Sequence, residues 1–141
     1  MNYQQSVLEF QLACDVPLTE PNTELFDLCL NLIKEEFTEL SEAQLELSNA
    51  VDTEDYIIKK AKVASEMVDL IYVICYAANV HKIPLDQVFT LIHKANMNKV
   101  DPQTGKVNKR EDGKILKPEG WKPAPIKELI ALQQACIDAQ I

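Results

Sequence analysis

The segment KEEFTEL, residues 34–40, places three glutamates within five positions. Glu36 and Glu39 are three residues apart and Glu35 and Glu39 are four apart, so on a helix their side chains point to a common face. Acidic residues at this spacing most often form a solvated surface. The segment alone therefore does not distinguish a wet helix face from half of a metal site, and the choice depends on what the chain places opposite.

The glutamates belong to a long helical pattern that is followed by a second one. Apolar residues recur at spacings of three and four through residues 25–47, which predicts an amphipathic helix. NAVDTED, residues 49–55, is the expected turn, and Asp52 or Thr53 can cap the next helix, which runs to about Asn79. Helices joined by so short a turn are expected to be antiparallel neighbours.

The second helix carries its own pair of acids. In SEMVDLIYVICYAA, residues 65–78, Glu66 and Asp69 repeat the spacing of three at the edge of an apolar run. That run is apolar nearly all round, which predicts burial on all sides.

The two acidic pairs have matched heights in such a hairpin. Glu39 pairs with Glu66 and Glu36 with Asp69 about the same midpoint, 52.5, which falls inside the turn. Because both helices rise by about 1.5 Å per residue, each pair is expected to lie level, about 20 Å from the turn. Four carboxylates are then predicted to face one another across the helix seam.

Such a cluster repels itself unless it is protonated or holds a hard cation. An unpaired Asp69 in an apolar run is costly, and four oxygen ligands suit Mg²⁺ or Mn²⁺. The alternative is that Asp69 points outward and pairs with Lys62 or Lys59.

The rest of the chain predicts shorter helices and one long loop. Residues 4–14 are expected to form a first helix, Pro84 can occupy the first turn of another that runs to about Asn98, and Pro125 opens a last helix. All three glycines fall within residues 99–124.

This loop is expected to be ordered, because Ile115 and Trp121 would need somewhere to pack. It also belongs to a basic segment: residues 94–122 hold 8 bases and 4 acids, whereas residues 1–93 hold 16 acids and 5 bases. The net charge of −8 argues against nucleic-acid binding. A basic segment beside an acidic helical body suits a phosphorylated small molecule held with metal ions.

Cysteine placement and hydropathy indicate a cytoplasmic protein with no membrane partner. No Cys-x-x-Cys pair occurs, and Cys29 and Cys75 are expected to be small core residues. The start of the chain has no signal-peptide pattern, and the longest apolar run, residues 70–78, is too short to cross a bilayer.

The acidic pattern resembles that of a known superfamily. Glu-Glu-x-x-Glu at residues 35–39, followed after 26 residues by Glu-x-x-Asp at residues 66–69, is similar to the motif of the all-α nucleoside triphosphate pyrophosphohydrolases. These include MazG-like proteins, phosphoribosyl-ATP pyrophosphohydrolases and dimeric dUTPases. EFQLACDVPL, residues 9–18, and the tail from HKANMNK, residues 93–99, through GWKPAP, residues 120–125, look like the phosphoribosyl-ATP pyrophosphohydrolase-like branch. Unlike MazG itself, which carries two such domains, this chain carries one.

The resemblance implies an all-α, four- to five-helix MazG-like bundle in a single domain over residues 1–141, assembled as a homodimer or a dimer of dimers. It implies that Mg²⁺, with Mn²⁺ as an alternative, is held by Glu36, Glu39, Glu66 and Asp69. Glu35 would orient the attacking water as a base or act as an additional ligand.

The resemblance and the basic segment together predict substrate and phosphate contacts from the tail, at Lys94, Asn96, Lys99, Arg110, Lys114, Lys117 and Trp121. Alternatives remain for each kind of residue. The lysines could be solvated surface, Asn96 could cap a helix end, and Trp121 could either stack on a base or anchor the loop on the helices.

The implied activity is cleavage of a (d)NTP by water to the (d)NMP and pyrophosphate, as house-cleaning of the nucleotide pool, with dUTP as a candidate substrate. The alternative enzyme is the phosphoribosyl-ATP pyrophosphohydrolase of histidine biosynthesis. A non-catalytic helical interaction module is the alternative of another class. A di-iron carboxylate bundle is disfavoured because neither His81 nor His93 follows a glutamate at three.

Overall fold

The computed structural model describes residues 2–18 and 23–139, and within them the fold is all-α with no strand beyond two isolated β-bridges. The described residues form five helices, as the sequence predicts: α1 (Tyr3–Ala13), α2 (Thr23–Ser48), α3 (Thr53–Val80), α4 (Leu85–Met97) and α5 (Ile126–Asp138). The chain divides into two compact units, residues 1–83 and residues 84–141, and each is described by itself. The expectation of one domain over residues 1–141 stays a prediction.

The first unit is built on the hairpin of α2 and α3. The turn between them is closed by Asp52, whose side chain accepts from the backbone N–H of Asp55 at 2.9 Å and so caps α3 as predicted. Asp55 in turn accepts from the N–H of Val51 at 3.0 Å. This short, doubly hydrogen-bonded turn fixes the register of the two long helices.

Helix α1 is held against α3 by a buried amide network. The side chain of Gln11 is fully buried, donates to the carbonyl of Tyr76 at 3.2 Å and accepts from the Asn79 amide at 2.7 Å. The same Asn79 amide donates to the carbonyl of Gln4 at 3.2 Å. Because no buried side-chain polar atom among the described residues lacks a partner, hydrogen bonds offset the cost of desolvating these amides.

The core of the unit is small and contains the two cysteines predicted to lie there. Cys29 packs with Leu25 and Val80 in one buried cluster, and Cys75 is also buried. Burial raises the pKa of the Cys29 thiol, which keeps it protonated and apolar in character.

The apolar half of α3 is not buried on all sides, so that prediction is wrong for the single chain. Met67, Val68 and Ile71 are 50%, 59% and 46% exposed. The apolar run of residues 70–78 is too short by itself to cross a membrane, but the whole of α3, with 28 residues, is long and apolar enough by length and composition, as core helices of soluble proteins also are. The helix therefore presents an uncovered apolar face.

The second unit pairs α4 with α5 and contains the loop between them. Pro84 and Pro125 stand at the N-cap positions, one residue outside the first turns predicted for them. The loop is folded back by bridges between Val100 and Val107 and between Lys109 and Ile115. The loop is ordered as expected, although Ile115 itself remains 45% exposed instead of packing away.

Candidate metal centre

The hairpin brings acids from both long helices to one place. Glu36 and Glu39 on α2 and Glu66 on α3 each offer a carboxylate oxygen, and these three oxygens lie within 4.8 Å of one another. Glu36 and Glu66 are partly buried and Glu39 is exposed. The sequence predicts that these acids lie at equal distances from the turn, and in the structure the three side chains do lie close together across the two helices.

Glu35 and Asp69 lie beside this group without being part of it. Both are exposed, and Asp69 accepts a long hydrogen bond of 3.5 Å from the hydroxyl of Ser65. Their charges nevertheless reach Glu36, as its pKa shows. Asp69 therefore stands at the edge of the carboxylate group and not inside it.

The pKa of Glu36 reflects the repulsion among the acids of the centre. Its pKa is raised, first because partial burial disfavours the charged form and then because of the charges of Glu39, Asp69, Glu35 and Glu66. Each of these four charges raises the pKa of Glu36. A group of like charges of this kind is relieved by a proton or by a cation.

The alternative in which a lysine neutralises Asp69 is contradicted. Lys59 bonds Asp55 at 2.7 Å, and Lys62 bonds both carboxylate oxygens of Glu46 at 3.0 Å. Both lysines proposed for the pairing are thus engaged elsewhere.

A pocket of about 290 Å³ opens next to the group of three glutamates. It is lined by Glu39, Glu42, Lys62 and Glu66. The hydrogen bond to Glu46 raises the pKa of Lys62, and the charges of Glu66 and Glu42 add to the effect, so this lysine stays charged. Lys62 was not singled out as a site residue from the sequence. The register of the hairpin contained the signal, because it places Lys62 opposite residue 43, between Glu42 and Glu46.

The donor set fits a hard divalent cation. Mg²⁺ binds oxygens at about 2.0–2.1 Å, so two ligands of one ion are at most about 4.2 Å apart. The three oxygens, within 4.8 Å of each other, need only small side-chain rotations to reach that spacing. No histidine or cysteine takes part in this group, and an all-oxygen set favours Mg²⁺ or Mn²⁺ over Zn²⁺.

The predicted substrate residues all lie in the second unit. Lys94 and Asn96 are exposed near the end of α4, and Lys99 follows just after it. The Asn96 side-chain oxygen accepts from the Lys99 ammonium at 2.7 Å, so these two form one polar pair. Asn96 does not act as the cap of α4, where Asn98 stands instead.

Trp121 anchors the loop on α4. Its indole N–H donates to the carbonyl of Ala95 at 2.7 Å, across 26 residues of chain. The ammonium groups of Lys99 and Lys117 lie 5.1 and 4.4 Å from the centre of its ring. Three predicted substrate residues are thereby brought together, and the geometry supports the anchoring alternative for Trp121.

Arg110 and Lys114 lie apart in the loop. Two guanidinium nitrogens of Arg110 donate to the carboxylate of Asp112, one of them at 3.0 Å, and both side chains are exposed. The backbone N–H of Lys114 donates to the same carboxylate at 3.1 Å. Arg110 would have to release Asp112 to hold a phosphate, a small cost for an exposed ion pair.

A comparison with known families matches most of the first unit and nearly all of α4. The family model for phosphoribosyl-ATP pyrophosphohydrolase matches residues 12–96, well over half of the chain. The chain belongs to the phosphoribosyl-ATP pyrophosphohydrolase family. The match contains all five acids of the candidate centre together with Lys94 and Asn96.

Membership of the phosphoribosyl-ATP pyrophosphohydrolase family confirms the resemblance to the MazG-like all-α superfamily. It supports a pyrophosphohydrolase, an enzyme that acts on phosphoric anhydrides. The predicted contacts from Lys99 to Trp121 lie beyond the matched residues. No curated protein matches the chain.

Proposed function

We propose that the protein hydrolyses a nucleoside triphosphate to the monophosphate and pyrophosphate, with Mg²⁺ held by Glu36, Glu39, Glu66 and Asp69. The observation that supports this most directly is the convergence of oxygens from Glu36, Glu39 and Glu66 within 4.8 Å in a chain of the pyrophosphohydrolase family. Asp69 would complete the set by a rotation away from Ser65, whose 3.5 Å hydrogen bond is weak.

The chain's own residues would position the cation against the phosphate and would take a proton from the attacking water. The carboxylates of Glu36, Glu39 and Glu66, which come from two helices, would fix the position of the divalent cation. Placing positive charge against the phosphate is the main task in phosphoryl transfer. A bound divalent ion supplies neutralisation of phosphate oxygens and a lowered pKa for water. Glu35, which is exposed and next to Glu36 on the same helix, would accept the proton of the attacking water.

The basic residues of the second unit would contact the substrate. Lys99 and Lys117, gathered at the ring of Trp121, offer two positive charges to phosphate oxygens. Lys94, Asn96, Arg110 and Lys114 are exposed, as such contacts require. Trp121 would serve by holding this segment on α4, and stacking on a base is the weaker of its two roles.

A nucleotide panel tests the activity and names the base. We expect the protein with Mg²⁺ to release pyrophosphate from at least one (d)NTP, dUTP being the first candidate. Phosphoribosyl-ATP belongs in the same panel, because the histidine-biosynthesis enzyme fits the matched family equally well. Pyrophosphate and inorganic phosphate are measured separately. Release of phosphate alone would indicate another chemistry, and no release from any nucleotide would favour the helical interaction module.

We also propose that a second copy of the chain covers the exposed apolar face of α3. Val68 and Ile71 are 59% and 46% exposed, on the same helix as Glu66. Large apolar groups on a long helix are costly to leave in water, and self-association in closed symmetry is the commonest way to cover them. A cytoplasmic house-cleaning role would be consistent with such an assembly.

Ile71→Glu tests this assembly. We expect the mutant to shift from at least twice the chain mass to 15.9 kDa in light scattering, because a buried charge at the interface has no partner. Leu132→Glu on α5 is the matched control, since Leu132 is 65% exposed on a different element. A wild-type protein that already has the mass of one chain would contradict the proposal.

A further inference from the structure

Lys62 is the one basic side chain among the four residues that line the pocket beside the carboxylate group. It stands one helical turn before Glu66 on α3 and reaches across to α2, where its ammonium bonds both oxygens of Glu46 at 3.0 Å. It therefore lies on the same helix face as a proposed metal ligand.

The charge arrangement of the pocket suits an anion once cations are in place. Glu39 and Glu66, two of its three acidic lining residues, are proposed to hold divalent ions, and their charge would then be neutralised, which leaves Lys62 and Glu42 as the charged groups of the lining. Phosphate oxygens that the ions leave uncoordinated need a further donor, and a lysine ammonium offers three N–H groups. Lys62 is positioned to supply them from the pocket wall.

Breaking the ion pair between Lys62 and Glu46 costs little free energy. The side chains of Lys62 and Glu46 are 44% and 48% exposed, and ion pairs at such exposure contribute about 0–1 kcal/mol. A metal-bound phosphate is a stronger attraction than a single solvated carboxylate, since charge-assisted bonds to phosphate gain in a partly enclosed site.

We propose that Lys62 binds the pyrophosphate portion of the substrate, exchanging Glu46 for a phosphate oxygen in the pocket between Glu39 and Glu66. This inference rests on the proposed function and deepens it, because it assigns a phosphate-contacting residue to the first unit itself. The ion pair with Glu46 lies at the pocket, because Lys62 itself is one of the lining residues. Substrate and Glu46 compete for the same three N–H groups.

A purely structural role makes a different prediction. If the pair with Glu46 only ties α2 to α3, then removing either partner has the same consequence. If Lys62 binds phosphate, the two removals act in opposite directions: loss of Lys62 weakens binding, and loss of the Glu46 charge leaves binding equal or tighter.

The experiment uses the full chain with Mg²⁺ and inorganic pyrophosphate as the probe. Binding is measured by calorimetry, and KM and kcat are measured on the best nucleotide. We expect Lys62→Ala to weaken pyrophosphate binding and raise KM by about tenfold, with a smaller change in kcat. Lys62→Arg should recover most of the loss, and Glu46→Gln should bind pyrophosphate at least as tightly as the wild type.

Lys60→Ala is the matched control, because Lys60 lies two residues away on α3 with its ammonium 5.6 Å from the centre of the Tyr56 ring, outside the pocket. It should behave as wild type. Circular dichroism checks that each mutant is folded, and Lys62→Gln replaces the alanine mutant if that one is not. Unchanged pyrophosphate affinity in the Lys62 mutant, or equal weakening in the Glu46 mutant, overturns the inference. A wild type that binds pyrophosphate through Lys62 but cleaves no nucleotide overturns the proposed function alone.

Discussion

Glu39→Gln is expected to lower pyrophosphate release by at least about a hundredfold, because removing residues that merely orient metal ligands already costs about 10–100-fold. Glu39 is exposed, and it contributes one of the three oxygens that lie within 4.8 Å of one another. Glutamine keeps the shape of the side chain but removes its charge, so the cation loses a strong ligand. The same mutant without metal should melt at a higher temperature than the wild type, because one member of a self-repelling group is gone.

The opposite changes in activity and in melting temperature distinguish the loss of a metal ligand from misfolding. A mutant that loses activity because it is misfolded melts lower, whereas the loss of a ligand from a repelling group raises stability while abolishing turnover. The measurements are a pyrophosphate-release rate at saturating Mg²⁺ and a thermal melt in chelator.

Glu42→Gln is the control for charge alone. Glu42 lies one turn further along α2 and lines the same pocket, yet it is outside the group of three. Its replacement removes the same charge and should change the rate by no more than a few-fold. Equal losses in the two mutants would mean that the overall negative field matters and not coordination by Glu39.

The sequence predicted the hairpin and the meeting of Glu36, Glu39 and Glu66, although not the position of Asp69 at the edge of the group, because the first two follow from local rules. The cap at Asp52 and the periodicity of the two flanking helices set the register, and the equal rise of the helices then places Glu39 level with Glu66. The same arithmetic, applied to lysines as well as acids, would have placed Lys62 beside Glu42 and Glu46.

The exposure of α3 could not be predicted from its pattern. An apolar run shows that a surface will be covered, but it does not say whether the same chain or a second copy covers it. Val68 and Ile71 are open in the single chain, although hydropathy predicts their burial. Hydropathy indicates that a side chain favours apolar surroundings, but it does not specify what supplies them.

Anchoring of the loop by Trp121 was one of two roles expected from the sequence, but the partners of the tail residues could not be predicted. Trp121 meets a backbone carbonyl at Ala95, and a carbonyl acceptor has no sequence signature, since every residue carries one. The gathering of Lys99 and Lys117 at the indole ring follows from that anchor. In a loop without periodicity, spacing along the chain does not say which charges meet.

Addition of Mg²⁺ or Mn²⁺ to the metal-free protein is expected to stabilise it by about 2.7 kcal/mol when the free ion is at a hundred times its dissociation constant. The ion favours the folded state, in which the carboxylates of Glu36, Glu39 and Glu66 converge, over the unfolded chain, in which they do not. The measurement is a thermal or urea melt in chelator and in excess ion, and Glu39→Gln should lose most of the shift.

The stabilisation should shrink as the pH falls. Because the folded-state pKa of Glu36 is raised above its ordinary value of 4.5, ionised Glu36 destabilises the metal-free fold at neutral pH. As the pH falls through the raised pKa towards 4.5, the folded protein takes up the proton and that cost disappears. The bound ion requires deprotonated ligands, so its contribution falls over the same window. The melting curves with and without ion should therefore converge on acidification, and an ion effect that is independent of pH in this window would place the cation elsewhere than among Glu36, Glu39 and Glu66.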